Sequence, residues 1–145
     1  MDTQFLKHWL NGFDRSLADL DGENREKLLQ ACGEACSNSY SRNVYMRAYD
    51  LSNDIDSFIE HLNEAFEELD IRRVRDDEIE LIYTRCACPL VKAGFVEDAL
   101  FCICSLKSLK YNWESVLGKE NVDIRLKESI LAGDEKCLFT VKLLK

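Results

Sequence analysis

Proline occurs once in this chain, histidine twice and glycine six times among 145 residues. A single proline excludes a proline-rich hinge, and no low-complexity segment, linker or internal repeat divides the sequence. His8 and His61 stand alone and read as solvated side chains rather than as bases or metal ligands, although a cysteine–histidine pair that meets only in space remains open. No apolar run, including residues 99–104, approaches the ~20 residues that span a bilayer. The first ten residues lack a basic stretch followed by an apolar one, so no signal peptide is expected. Basic charge is also in deficit, with 19 Lys and Arg against 27 Asp and Glu and a net charge of −8. A field of that sign repels phosphate backbones and anionic lipid, so neither nucleic acid nor membrane is an expected partner. Arg72, Arg73 and Arg75 are interleaved with acids and read as a solvated strand face. Glycine-rich phosphate loops and the Gly-x-Ser-x-Gly elbow are missing.

Cysteine is what the chain has in plenty: seven, an odd number with no export signal. That combination predicts a reducing, cytoplasmic setting and free thiols rather than disulfides. The length suits one domain spanning 1–145. Residues 1–69 read as a helical half. Leu6, Trp9, Leu10, Phe13, Leu17 and Leu20 recur at helical spacing until Asp21 and Gly22 break the pattern. A second helix is expected over about 23–40, with Leu28, Leu29, Cys32 and Cys36 on one face, and a shorter one over 42–50. Ser52, Asn53 and Asp54 offer N-caps for a fourth, whose stripe runs through Ile55, Phe58, Ile59, Leu62, Phe66 and Leu69.

The period changes near residue 70. Residues 71–75 and 79–88 suit a hairpin turning at Asp76 and Asp77 and ended by Pro89. A loop over 90–98 and a long helix to Leu117 follow, with Cys102, Leu106, Leu109, Trp113 and Val116 on its inner stripe and Gly118 as its stop. Val122, Ile124 and Leu126 then alternate with charged residues, as Cys137, Phe139, Val141 and Leu143 do beyond Gly133, which is a β-hairpin with one buried face. The fold class expected is α+β, a helical N-terminal half packed with a small antiparallel sheet and a long helix.

Strand phase directs Glu128 to the apolar side, where a carboxylate needs a partner, a proton or a cation; the alternative is a strand that ends near Lys127. A tight turn would set Ile130 opposite Cys137 and place Glu128 diagonally from it. With the long helix packed on the hairpin, Cys102, Cys137 and Glu128 converge, a donor set that suits zinc, with a fourth ligand from Cys86, Cys88, Cys104 or water. The competing account makes all of these small buried hydrophobes. Cys86 and Cys88 would share a strand face, whereas Cys102 and Cys104 diverge on a helix. Cys32 and Cys36 have core spacing.

The layout of Cys102, Cys104, Trp113, Gly118, the 122–126 strand, Glu128, Gly133, Cys137 and Phe139 resembles the vinyl-4-reductase-type ligand-binding domain. It is also similar to aminothiazoline-carboxylate hydrolase-like families and their bacterial relatives, over roughly 85–144. The resemblance implies an α+β fold and a pocket for a small organic ligand, for which Leu109, Trp113 and Phe139 are the expected lining. In its aromatic-sensing members a zinc is held by three cysteines and a glutamate. Cys102 and Cys137 match two of these positions, while Leu126 and Ser129 fall at the other two. The function expected is a small-molecule-binding domain, zinc-stabilised in one version. The alternatives are a small cysteine-dependent hydrolase, for which no catalytic residue carries over, and an interaction or dimerisation module whose partner includes a second copy.

Overall fold

The computed structural model describes residues 2–144. Helix α1, Thr3–Leu17, starts where the Asp2 carboxylate accepts the Gln4 amide at 2.9 Å. Helix α2, Gly22–Cys36, starts at Asp21, whose side chain accepts the Asn24 amide at 2.8 Å. Arg25 joins the two. Its guanidinium donates to the carbonyls of Leu17, Ala18 and Leu20, at and just beyond the end of α1. The break expected near residue 41 is absent. Instead a π-helical turn, Ser37–Ser41, runs directly into α3, Arg42–Asp50, with the Arg42 amide donating to the Ser37 carbonyl. Asp54 then opens α4, Ile55–Ala65, through a reciprocal capping box with Ser57.

Four strands form one antiparallel sheet in the order β1-β2-β4-β3: β1 Leu69–Arg75, β2 Glu78–Tyr83, β3 Val122–Glu128 and β4 Cys137–Leu143. Between β2 and β3 lie a short helix α5, Pro89–Lys92, and the long helix α6, Phe101–Leu117, which ends at Gly118 with a φ of 98°. The α+β expectation therefore holds, with residues 3–65 helical and the sheet confined to the second half.

Three local expectations are corrected. The fourth helix stops at Ala65, and Leu69 opens β1 instead of closing a helical stripe. Strand β2 ends at Tyr83, so Cys86 and Cys88 lie in irregular chain; Pro89 begins a helix, where its missing amide costs nothing. A β-bulge in β3 moves the register from Leu126 opposite Phe139 to Glu128 opposite Leu138. One extra residue reverses the facing of everything beyond it. Glu128 therefore leaves the apolar phase and Ser129 enters it, 5% exposed.

The helices cover one face of the sheet. Ile71, Ile79, Leu81, Ile124, Phe139 and Val141 project into a core centred on Trp113. The Trp113 ring lies 5.8 Å from Tyr45 and 5.4 Å from Phe58, both edge-on, the arrangement the ring quadrupoles favour. A smaller core of Leu17, Leu29, Val96 and Phe101 holds α1 to the rest. The buried Asp14 assists by accepting the amides of Glu97 and Asp98. At the edge strand β1, the Asn63 amide both donates to and accepts from the backbone of Ile71, at 3.0 and 2.8 Å, as a neighbouring strand would.

Candidate functional site

The helix α6 and the strand β4 bring Cys102 and Cys137 to one place. Cys102 is in the first turn of α6 and Cys137 begins β4; both are buried. The residue that links them is Ser129. Its hydroxyl lies 2.8 Å from the Cys102 sulfur, and the next amide, of Ile130, donates to the Cys137 sulfur at 3.4 Å. Ser129 is itself locked: its amide donates to the Asp134 carboxylate, and its hydroxyl accepts the Ala132 amide. The chain after β2 adds Cys86 and Cys88, whose thiols act electrostatically on Cys102. Cys104, two residues further along α6, packs against the smaller core of Leu17, Leu29, Val96 and Phe101.

All seven cysteines are free thiols. Burial raises the pKa of Cys32, Cys86, Cys102 and Cys104, and pushes Cys104 to about 12 with help from Cys32, Cys36 and Cys88. At Cys102 the Ser129 hydrogen bond works against burial without overcoming it. A thiol that attacks must first become a thiolate. These four are held in the protonated form at neutral pH.

Of the residues expected to hold zinc, the structure joins Cys102 and Cys137 and turns Glu128 to the other phase of β3. Among the described residues no group of three or more His, Cys, Asp or Glu side chains gathers closely enough to hold a metal ion. Leu109, Trp113 and Phe139, expected to line a ligand pocket, are packed into the main core. Ser129 falls at a ligand position of the resemblance but does not match its cysteine, and strand phase turns it away from the apolar side; only the bulge, which strand alternation does not reveal, brings it to the thiols.

A groove of about 510 Å³ opens elsewhere, between the α3–α4 connection and the β1–β2 turn. Ile55, Phe58, Leu117 and Leu143 form its apolar floor, and Tyr49 its side wall. Arg73 crosses it, bound to the Asp56 carboxylate at 3.1 and 3.2 Å and to the Asp76 carbonyl at 2.8 Å.

No family model matches the chain, and no curated protein matches it. Among solved structures the fold is similar to that of trafficking protein particle complex subunit 3 from Naegleria fowleri, solved covalently bound to palmitic acid. The TM-score is 0.60 at 14% identity, and the match covers 99% of this chain and 95% of that one. At that identity the likeness is one of fold, and that fold is again α+β. The match corrects the functional expectation. The small-molecule-binding function, its hydrolase alternative and the small organic partner are corrected as expectations, because the whole-length fold likeness is to a subunit of a protein complex instead. The filled core at Trp113, where the expected pocket lining is packed, agrees with that correction.

Proposed function

We propose that this chain is a protein-interaction module, a subunit that works by assembling with other protein chains in a vesicle-trafficking type of complex. The observation that carries this reading is the whole-length fold likeness to a trafficking-complex subunit, with little left over in either chain. The surface supports it. Phe5 and Trp9 project from α1 at i and i+4, and Tyr40, Tyr49 and Leu51 are exposed on the α2–α3 rod and its end. Large aromatic side chains in contact with water are what interfaces bury. Among the described residues no helix is long and apolar enough to cross a membrane. A cytoplasmic setting belongs to the same proposal, since a reducing compartment suits seven free thiols.

The test is the mass of the native particle. The chain, tagged at its own chromosomal locus, is sized in cell extract and then purified and weighed under native conditions. It is expected to run in a stoichiometric assembly with at least one other protein chain. A particle of monomer mass in both measurements refutes the proposal.

A further inference from the structure

We propose that the groove between the α3–α4 connection and the β1–β2 turn docks an extended, basic segment of a partner protein; this rests on the interaction-module reading above. The groove is two-sided in character. Its floor and side wall are apolar, with Tyr49 set edge-on to Phe58 at a 5.7 Å ring separation. Its rim is acidic: Asp54 at the start of α4, and Asp76 and Asp77 at the β1–β2 turn. The one basic lining residue, Arg73, is already neutralised by Asp56. Asp54 is engaged as a helix cap. Among the described residues the carboxylates of Asp76 and Asp77 have no hydrogen-bond or ion-pair partner, so the uncompensated charge at the rim is negative. Its complement is a lysine or arginine side chain.

The surroundings favour a chain segment over a free amine. Ile55, Phe58, Leu117 and Leu143 give the groove an apolar lining that a small cation held at the acidic rim would leave uncovered. In an extended segment, side chains two positions apart face the same way at about 6.6 Å separation. One such pair, a basic residue toward Asp76 and Asp77 and an apolar one toward Leu117 and Leu143, answers both halves of the site.

The probe is a fluorescein-labelled peptide of glycines with arginine and leucine alternating at every second position, read by anisotropy at about physiological salt. Saturable binding is expected. The double variant Asp76→Asn, Asp77→Asn should weaken it at least tenfold. Asp19→Asn with Glu23→Gln, the same change in net charge on the exposed α1–α2 turn, should leave it within twofold. Equal losses in both variants would reduce the effect to net charge and overturn the proposal. So would equal binding of a peptide whose leucines are glycines, or displacement by argininamide as effective as by unlabelled peptide, which would assign the site to a small cation. Urea midpoints matching the native protein certify that each variant is folded. In cell extract, an assembly unchanged in size and composition with the Asp76, Asp77 variant overturns the groove proposal and leaves the interaction module standing; loss of all assembly by the unaltered chain overturns the module itself.

Discussion

Gly33→Ala is the most discriminating single change. Gly33 lies inside α2, where alanine normally stabilises by about 1 kcal/mol. Here α2 crosses α6 with almost no space between the backbones. A Cβ at position 33 would stand 2.7 Å from the Lys107 Cβ, 2.8 Å from the Ser108 amide nitrogen and 2.9 Å from the Cys104 carbonyl oxygen. Carbon atoms in contact prefer about 3.5–4.0 Å, so the helices must separate by roughly 1 Å. Two of the three obstacles are backbone atoms, which no rotamer change relieves. Separation would also stretch the buried contacts of the Ser37 hydroxyl with the Ser108 hydroxyl and carbonyl, now 2.7 and 2.9 Å. Overpacking of this kind costs about 1–3 kcal/mol before the helix gain is subtracted, and the lost serine contacts add to it. The net expectation is a loss of about 1–2 kcal/mol, or roughly 3–6 °C in melting temperature for a chain of this size. Gly12→Ala is the control. That glycine is also helical, and its added Cβ meets nothing within 4 Å. It should gain about 0.5–1 kcal/mol. Urea unfolding followed by tryptophan emission measures both, because Trp113 is fully buried. If Gly33→Ala is as stable as the native protein, or rises together with Gly12→Ala, α2 and α6 do not cross this closely.

Ser129→Ala removes the hydroxyl shared by Cys102 and the Ala132 amide, and should cost about 1–2 kcal/mol in urea unfolding; a change within experimental error would show that the contact contributes nothing. The raised thiols give a pH dependence whose sign is fixed. Their pKa values are higher folded than unfolded, so their contribution is complete below about pH 8.5 and is lost as pH climbs toward the folded values. The urea midpoint should fall between about pH 9 and about pH 11, and fall less in Cys104→Ala, whose native thiol is pushed to about 12; a flat profile contradicts the burial of these thiols. Thiol titration without reductant should find all seven cysteines after denaturation and react first with the exposed Cys36 in the native state. Recovery of only one or two thiols from the denatured chain would mean disulfides.

Several features were legible from sequence because their signals are local. Asp21 and Asp54 cap the helices that follow them, Gly118 ends α6 in a conformation glycine favours, and the period change near residue 70 marks the first strand. The meeting of Cys102 and Cys137 followed from two inner stripes packed together. What escaped depends on single extra residues. The bulge in β3 transfers the inward phase from Glu128 to Ser129, and no residue there advertises it. Pro89 fits the end of a strand because it cannot donate to a ladder, yet it serves equally well as the first residue of a helix, which is its place here. The functional expectation failed for a different reason. Trp113, Leu109 and Phe139 have the pattern of a pocket wall and of a packed core alike, and only the neighbours that fill the space distinguish the two.

The π-helical turn at Ser37–Ser41 carries a consequence for how this chain tolerates insertion and loss. The buried or hydrogen-bonded positions facing α6 and the core run Leu29, Gly33, Ser37, Ser41 and Tyr45, four residues apart throughout. In a uniform α-helix that spacing drifts by about 40° per step, and Tyr45 would stand about 80° from the line of Ser37. The wider turn takes up about one residue, some 100°, and returns Tyr45 to Trp113. Excising one exposed residue such as Ser39 would therefore leave an ordinary helix with Tyr45 within about 20° of its present direction. A deletion in mid-helix usually turns every later side chain away from its partners. Here it would shorten the rod and keep the partnership, so homologous chains are free to differ by one residue at this point while sharing the same core.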